Sequence, residues 1–386
     1  MRTTRMAVGG ALAVLLVSAC SSGGGTTSSP SGSAAGAGAA CDSASVNAKV
    51  QEAKKIPEWK APGPAFDAKK AAGKLIYTIN ENSANEFGQA QFKGIKEAAD
   101  QVGVKVVDYP NQGSKSQWIQ GVNTAVNNKA DAVIFIGGTI GPLYFQSQAE
   151  EARKAGVKLI TLIDTDITQP AEKGTDARVG QRYAEAARLD ADWIIADSKC
   201  KANVLVLTTN ELIAGDINQK ATEDEFKKYC GSDCKVKFQN IPLPSWTSQI
   251  QPTVQAAIQA DPSLNYVMPM YDAMVQFARP AVTLAGATTR VKIVSFNGTP
   301  AILGMITPDS PVKMDVGENP ANLGYAALDQ AMRLLTGVPP IESGDENVKL
   351  RIFDASNVAE TGTPPALGVG YGDLWKPGYL QMWGLK

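Results

Sequence analysis

From Gly73 onward, short apolar runs alternate with segments whose apolar positions recur every three or four residues. Residues 74–79, 104–107, Ala132–Ile136 and 158–163 are such runs and predict strands. Between the first two, Glu86–Val102 sets Phe87, Ala90, Gly94, Ile95 and Ala98 on one stripe, which predicts a helix. Further helices are expected through Trp118, Val122 and Val126, and in the stretch that ends at Ala155. Runs that are apolar on both faces suit strands buried in a parallel sheet with helices on each side.

The rhythm restarts in the second half. Residues 204–207, 236–238, 266–268, 291–296 and 312–316 predict strands. Helices are predicted over Ala214–Tyr229, through Ile250, Val254 and Ile258, over 273–285, briefly from Pro300, and finally over 319–336. Two α/β units fit a chain of 386 residues, at about 100–200 residues per domain. In open sheets of this kind a ligand sits beyond the C-terminal ends of the strands. The loops at those ends are the polar ones: residues 80–85, 164–166 and 208–211, Tyr271-Asp272 and Asn297-Gly298.

Ahead of this body lies a different pattern. Arg2 and Arg5 precede an almost wholly apolar run from Met6 to Val17, then the small residues Ser18 and Ala19, then Cys20. This is the layout of a signal peptide over residues 1–19, too short for a comfortable membrane span. The string Leu16-Val17-Ser18-Ala19-Cys20 resembles a bacterial lipobox. That resemblance implies that Cys20 is lipidated and anchors the protein to the outer face of the cytoplasmic membrane, two acyl chains holding where one would be marginal. Residues 21–40 contain only Ser, Gly, Thr, Pro and Ala and predict a flexible tether. Weak helical patterning over 43–60 and the breaker run Ala61-Pro62-Gly63-Pro64 complete an anchor, tether and short helix over residues 20–72.

Composition narrows the chemistry. Hydrophobic residues make up 44% and charged residues 19%, the profile of a soluble globular body. The net charge of −1 comes with scattered basic residues, which argues against nucleic acid as a partner. No histidine is present, so a Ser-His-Asp triad, a His-activated cysteine and a histidine-bound zinc are excluded, while Asp/Glu acid–base chemistry is not. Gly137-Gly138-Thr139-Ile140-Gly141 follows a strand but has neither dinucleotide-loop nor Walker spacing, so it reads as a tight turn. No cofactor and no metal are expected. Besides Cys20, four cysteines remain: Cys41, Cys200, Cys230 and Cys234. In an exported chain an even number favours disulfides, with three possible pairings. Cys200 and Cys234 each precede a predicted strand, and parallel strands start at one edge, so Cys200 is expected to reach Cys230 or Cys234.

The polar loops carry a further pattern. Asn85-Glu86-Phe87-Gly88 follows the first strand and leads into Lys93-Gly94-Ile95-Lys96-Glu97-Ala98-Ala99. The stretch from Ala155 to Asp164 ends in an aspartate, and Tyr271-Asp272-Ala273-Met274, Ser295-Phe296-Asn297-Gly298-Thr299-Pro300 and Glu318-Asn319-Pro320 follow in order. Over residues 74–338 this set resembles the sugar-binding branch of the type I periplasmic binding proteins, the ribose- and galactose-binding family. There the corresponding motifs read Asn-Pro-Phe-Phe, Asn-Asp-x-Met, Gly-Phe-Asp-Gly-Thr-Pro and Gln-x-Pro. The resemblance implies an α/β protein of two Rossmann-like three-layer lobes with parallel sheets, joined by a three-crossover hinge near Ala177, Glu318 and Phe353. Residues 73–177 and 319–352 would form lobe 1, and 178–318 and 353–386 lobe 2. It also implies a monomeric, non-enzymatic solute-binding component of an ABC importer that meets membrane permease subunits and closes on a monosaccharide or polyol.

A sugar offers hydroxyl rims and weakly apolar faces, which aromatic rings and carboxylates or amides answer. Phe87 and Trp246 are the candidate opposing rings. Asn85, Asp164, Tyr271, Asp272, Phe296, Asn297 and Glu318 are further candidates, with Lys220 a weaker one. The same residues have structural readings: Phe87 and Trp246 as packing rings, Asp and Asn as helix caps. Asn297 replaces a carboxylate of the family motif, Glu318 an amide and Tyr271 an asparagine, while Gly88 replaces a phenylalanine and the arginine expected after Asp164 is missing; ribose itself is therefore doubtful as the ligand. A sensory receptor shares the shape, and a carbohydrate-active enzyme would need two carboxyls at fixed separation.

Overall fold

The computed structural model describes residues 41–212 and 214–386. The signal segment, Cys20 and the tether lie outside the described residues. Among the described residues eleven strands form two sheets. The first contains β1 (Leu75–Asn80), β2 (Lys105–Asp108), β3 (Ala132–Ile136), β4 (Lys158–Asp166) and β5 (Ala177–Gln181), in the order β2-β1-β3-β4-β5 and all parallel. The second contains β6 (Asn203–Thr208), β7 (Lys235–Asn240), β8 (Tyr266–Pro269), β9 (Lys292–Asn297), β10 (Val312–Glu318) and β11 (Leu350–Asp354), in the order β11-β10-β9-β8-β6-β7. Here one pairing departs from expectation, because β11 runs antiparallel to β10.

The helices are α1 (Ser43–Ala53), α2 (Glu86–Val102), α3 (Lys115–Asn127), α4 (Gln146–Lys154), α5 (Tyr183–Ser198), α6 (Ala214–Tyr229), α7 (Trp246–Ala260), α8 (Asp272–Leu284), α9 (Pro300–Leu303), α10 (Pro320–Thr336) and α11 (Trp375–Met382). Among the described residues no helix is long and apolar enough to cross a membrane. Helix α10 packs on α2 at a distance only glycine permits. A Cβ on Gly94 would lie 2.8 Å from Ala321 Cα, and one on Gly324 would lie 2.6 Å from the Ile95 nitrogen. With both faces covered, α10 buries even the Asp329–Arg333 ion pair, at 2.5 Å, and Trp383 Nε1 donates to Asp329 at 2.6 Å.

Within residues 75–354 three passes join the lobes, at Arg182 between β5 and α5, at Asn319 between β10 and α10, and through residues 337–349 between α10 and β11, and the segments after α1 and before α11 add two more. Arg182 binds two of them together, donating to Asp345 at 2.6 Å and to the Val348 carbonyl at 2.8 Å. One lobe assignment is corrected. Residues 375–386 do not belong to lobe 2: Trp375, Tyr379 and Trp383 lie on one helical stripe and pack on Tyr325 of α10 in the first lobe's core. Helix α1, which the sequence pattern assigned to neither lobe, buries Val46 and Val50 against α5 in the second lobe's core, so the segment after it passes from one lobe to the other.

Cysteine pairing is a second correction. Cys41 bonds Cys200, and Cys230 bonds Cys234. The docking of α1 on α5 brings Cys41, just before α1, to Cys200, just after α5. Cys230 and Cys234 flank the single turn of 3-10 helix at Gly231–Asp233, which folds one onto the other.

Candidate functional site

The C-terminal ends of both sheets open on one cleft of about 390 Å³. Asn85, Phe87, Asp164, Trp246, Tyr271, Asp272 and Asn297 line it. The remaining candidates do not. Phe296 is 1% exposed and packs edge-on against Tyr183 in the core. Glu318 is buried behind the cleft at the end of β10. Lys220 is solvent-exposed on α6 and pairs with Asp224 at 2.8 Å, as an i,i+4 surface pair does.

On the first lobe, α2 begins where it does because Asn85 caps it. Asn85 Oδ1 accepts from the Phe87 and Gly88 nitrogens at 3.0 and 3.2 Å, filling the role of an N-cap. Its Nδ2 donates to Glu81 at 3.2 Å, and Thr139 Oγ1 donates to the other Glu81 oxygen at 2.9 Å. Glu81 is a cleft residue that the sequence pattern did not single out, and burial pushes its carboxyl up. Room for it is made by Gly137, at φ 137°, where a Cβ would lie 2.6 Å from the carboxylate. The glycine loop is thus the tight turn expected.

Asp164 is aimed into the cleft by strained backbone. Ile163, just before it, has φ +62°, a conformation a β-branched residue rarely takes, where the β4–β5 register shifts. Asp164 is 2% exposed and accepts from the Thr165 nitrogen at 2.9 Å, while its Oδ2 has no protein donor. Burial pushes its carboxyl up. Nearby Glu172 is pushed up to about 7, mainly by burial and further by Asp164. Gln181, at the end of β5, presents a buried amide with no protein partner. Tyr183, also missed, donates to the Ile163 carbonyl at 2.8 Å and meets Tyr271 edge-on at 6.3 Å, so it touches both walls at the hinge. Neither Gln181 nor Tyr183 stands in an apolar run or a motif, so no local signal marked them.

The second lobe contributes differently. Asp272 opens α8, but its oxygens already accept from Ser295 Oγ at 2.8 Å, the Thr299 nitrogen at 2.8 Å and Thr299 Oγ1 at 2.6 Å. Ser295 Oγ also lies 2.9 Å from Asp315, and one hydroxyl proton cannot serve both carboxyls. Burial and the neighbouring Asp272 push Asp315 well up. This cluster fixes the β9–α9 turn that carries Asn297. Trp246 presents its ring to the cleft while its Nε1 donates to Thr209 Oγ1 at 2.9 Å, and Tyr271 lies tilted beside it at 6.4 Å. Leu212, Leu243, Ile302 and Met305 complete this wall, and among the described residues no Lys or Arg lines the cleft on either side. Among the described residues no group of three or more His, Cys, Asp or Glu could hold a metal ion.

Comparison with known proteins adds context to this geometry. Residues 76–339 match the profile of a periplasmic binding protein domain. The chain is 25% identical over 293 residues to a D-apiose import binding protein of Actinobacillus succinogenes, covering 73% of this chain and 89% of that one. Among solved structures, an ABC transporter solute-binding protein of Agrobacterium vitis with bound allitol superposes with a TM-score of 0.65 at 19% identity, over 75% of this chain and 98% of that one. A periplasmic solute-binding protein of Actinobacillus succinogenes with bound D-allose gives 0.64 at 20% identity, over 74% and 99%. At these identities the structures speak for the fold.

Proposed function

Because the chain belongs to the periplasmic binding protein family, we propose that it is the extracytoplasmic solute-binding component of an ABC importer, holding a neutral sugar or polyol for its permease subunits. The cleft carries this reading. It is lined by aromatic rings from both lobes, Phe87 from the first and Trp246 and Tyr271 from the second, and by the acceptors Glu81, Asp164 and Gln181. Hydroxyl groups donate well to carboxylates, and charged acceptors make the stronger bonds. A phosphate or carboxylate ligand would meet buried acids with no lining cation to offset them, an unpaired charge in a dry site. The relatives point the same way: one is a D-apiose import binding protein and two hold allitol and D-allose.

A receptor of this kind works by closing, and a ligand shifts that equilibrium only by its preference for the closed form. A molecule bonded to Asp164 and stacked on Trp246 touches both lobes and supplies that preference. A fixed catalytic dyad has less support, since Asp164 and Asp272 stand on different lobes and Asp272 is engaged within its own. Thermal-shift and calorimetric screens of purified protein test the reading. A cognate neutral pentose, hexose or polyol at a hundred times its Kd is expected to add about 2.7 kcal/mol of stability. Binding of sugar phosphates alone would overturn it. The membrane attachment proposed for Cys20 has its own test: Cys20→Ala is expected to move the protein from the membrane fraction to the soluble or unprocessed one, and unchanged fractionation would end that idea.

A further inference from the structure

The two walls of the cleft differ in kind, and the difference bears on the ligand. On the first lobe the wall is polar: Asp164 Oδ2 and the Gln181 amide are buried and unpartnered, beside Glu81 and Asn85. On the second lobe it is apolar: Leu212, Leu243, Ile302 and Met305 stand beside the Trp246 ring. The polar groups there are mostly spent within the lobe. Trp246 Nε1 donates to Thr209 Oγ1 at 2.9 Å, Thr299 Oγ1 donates to Asp272 at 2.6 Å, and Gln276 Nε2 donates to the Ala273 carbonyl at 2.9 Å. Asn297 and the Tyr271 hydroxyl are the chief groups left to reach a ligand.

A fully hydroxylated hexose matches only half of such a cleft. Hydroxyls turned toward the second lobe would lose water against leucine, isoleucine and methionine without gaining partners, which costs free energy. An apolar substituent turned the same way gains by leaving water. We propose that the ligand is amphipathic: a neutral polyhydroxyl head held by the first lobe, with an alkyl or alkylthio substituent lying against Leu212, Leu243, Ile302 and Met305. This rests on the solute-receptor reading and specifies its substrate class.

Calorimetry on the purified protein with D-ribose and D-glucose and their methyl, ethyl and n-butyl β-glycosides tests it. In the series whose parent docks in the right orientation, affinity is expected to rise about fourfold with each added methylene. Leu243→Asn, at a half-buried position in a turn, is expected to cut that increment to twofold or less. Met305→Gln, also half-buried, is a second probe of the same wall. A parent sugar that binds while every alkyl group leaves affinity unchanged or lower would overturn the amphipathic assignment and leave the receptor reading standing. An alkyl increment untouched by both variants would overturn the placement of the chain on this wall. If no sugar, polyol or glycoside binds, the receptor reading falls and this inference with it.

Discussion

Glu318 ends β10 with 1% of its surface exposed and one carboxylate oxygen without a donor. Burial pushes its carboxyl up from 4.5 to about 8, against the opposing pull of the Arg182 guanidinium. Glu172, on the loop before β5, is pushed up to about 7. Between roughly pH 4.5 and 8 the folded protein therefore keeps protons that the unfolded chain has released. Stability changes with pH as the protons bound unfolded minus those bound folded, which is negative here, so it falls as pH rises through that window. Glu318→Gln holds the site neutral at every pH. Its urea midpoint, followed from pH 5 to 8, is expected to decline less steeply than that of the natural protein, and parallel curves would refute this. A glutamate in place of the family's amide was visible in the sequence; that it does not line the cleft was not. A strand period of two tells which face a residue takes, and not what stands between that face and the ligand.

At the scale of elements, legibility followed hydrophobic pattern. Glu86–Val102, Ala132–Ile136 and Ala214–Tyr229 are found at the bounds the pattern predicts, because each buries an apolar stripe or run. Strands β5 and β11 and helix α5 gave no such signal. β5 contains Arg178, β11 contains Arg351, and both side chains are nearly fully buried. Arg178 Nη2 donates to the Ser343 carbonyl at 2.7 Å, and Arg351 pairs with Glu360 at 2.6 Å. Such partners are remote in sequence or lie in irregular loops, so a window of neighbouring residues reads the arginines as exposed. Asn85 and Asp272 show the same limit at element ends. Their type marked the strand–helix turns correctly, but one residue type serves both capping and binding, and the bonds each makes within its own lobe favour the structural role.

At the scale of the whole molecule, the segments around α1 and α11 bind the two lobes together. After α1, held on the second lobe, the chain crosses to the first, where Arg333 Nη2 donates to the Pro64 carbonyl at 3.1 Å and the Phe66 nitrogen to the Met382 carbonyl at 2.9 Å. The Cys41–Cys200 bond closes a sequence separation of 159 and Cys230–Cys234 one of 4. Since a longer loop loses more unfolded-state entropy when closed, Cys41→Ser with Cys200→Ser is expected to cost about 3–5 kcal/mol, and the other pair about 1–2. Guanidinium unfolding measures both, and equal costs would contradict the entropic account. The two-unit α/β architecture, the helices that bear its stripes and the polar loops at the strand ends follow from the sequence alone, because they depend on neighbours within a turn or two. The sequence also excluded histidine chemistry outright, by composition. Tertiary structure alone decided which cysteines pair, which lobe α1 and α11 each join, and that the cleft has one polar and one apolar wall. Those outcomes depend on residues far apart in the chain meeting in space, and on which hydrogen-bonding groups the fold has already used.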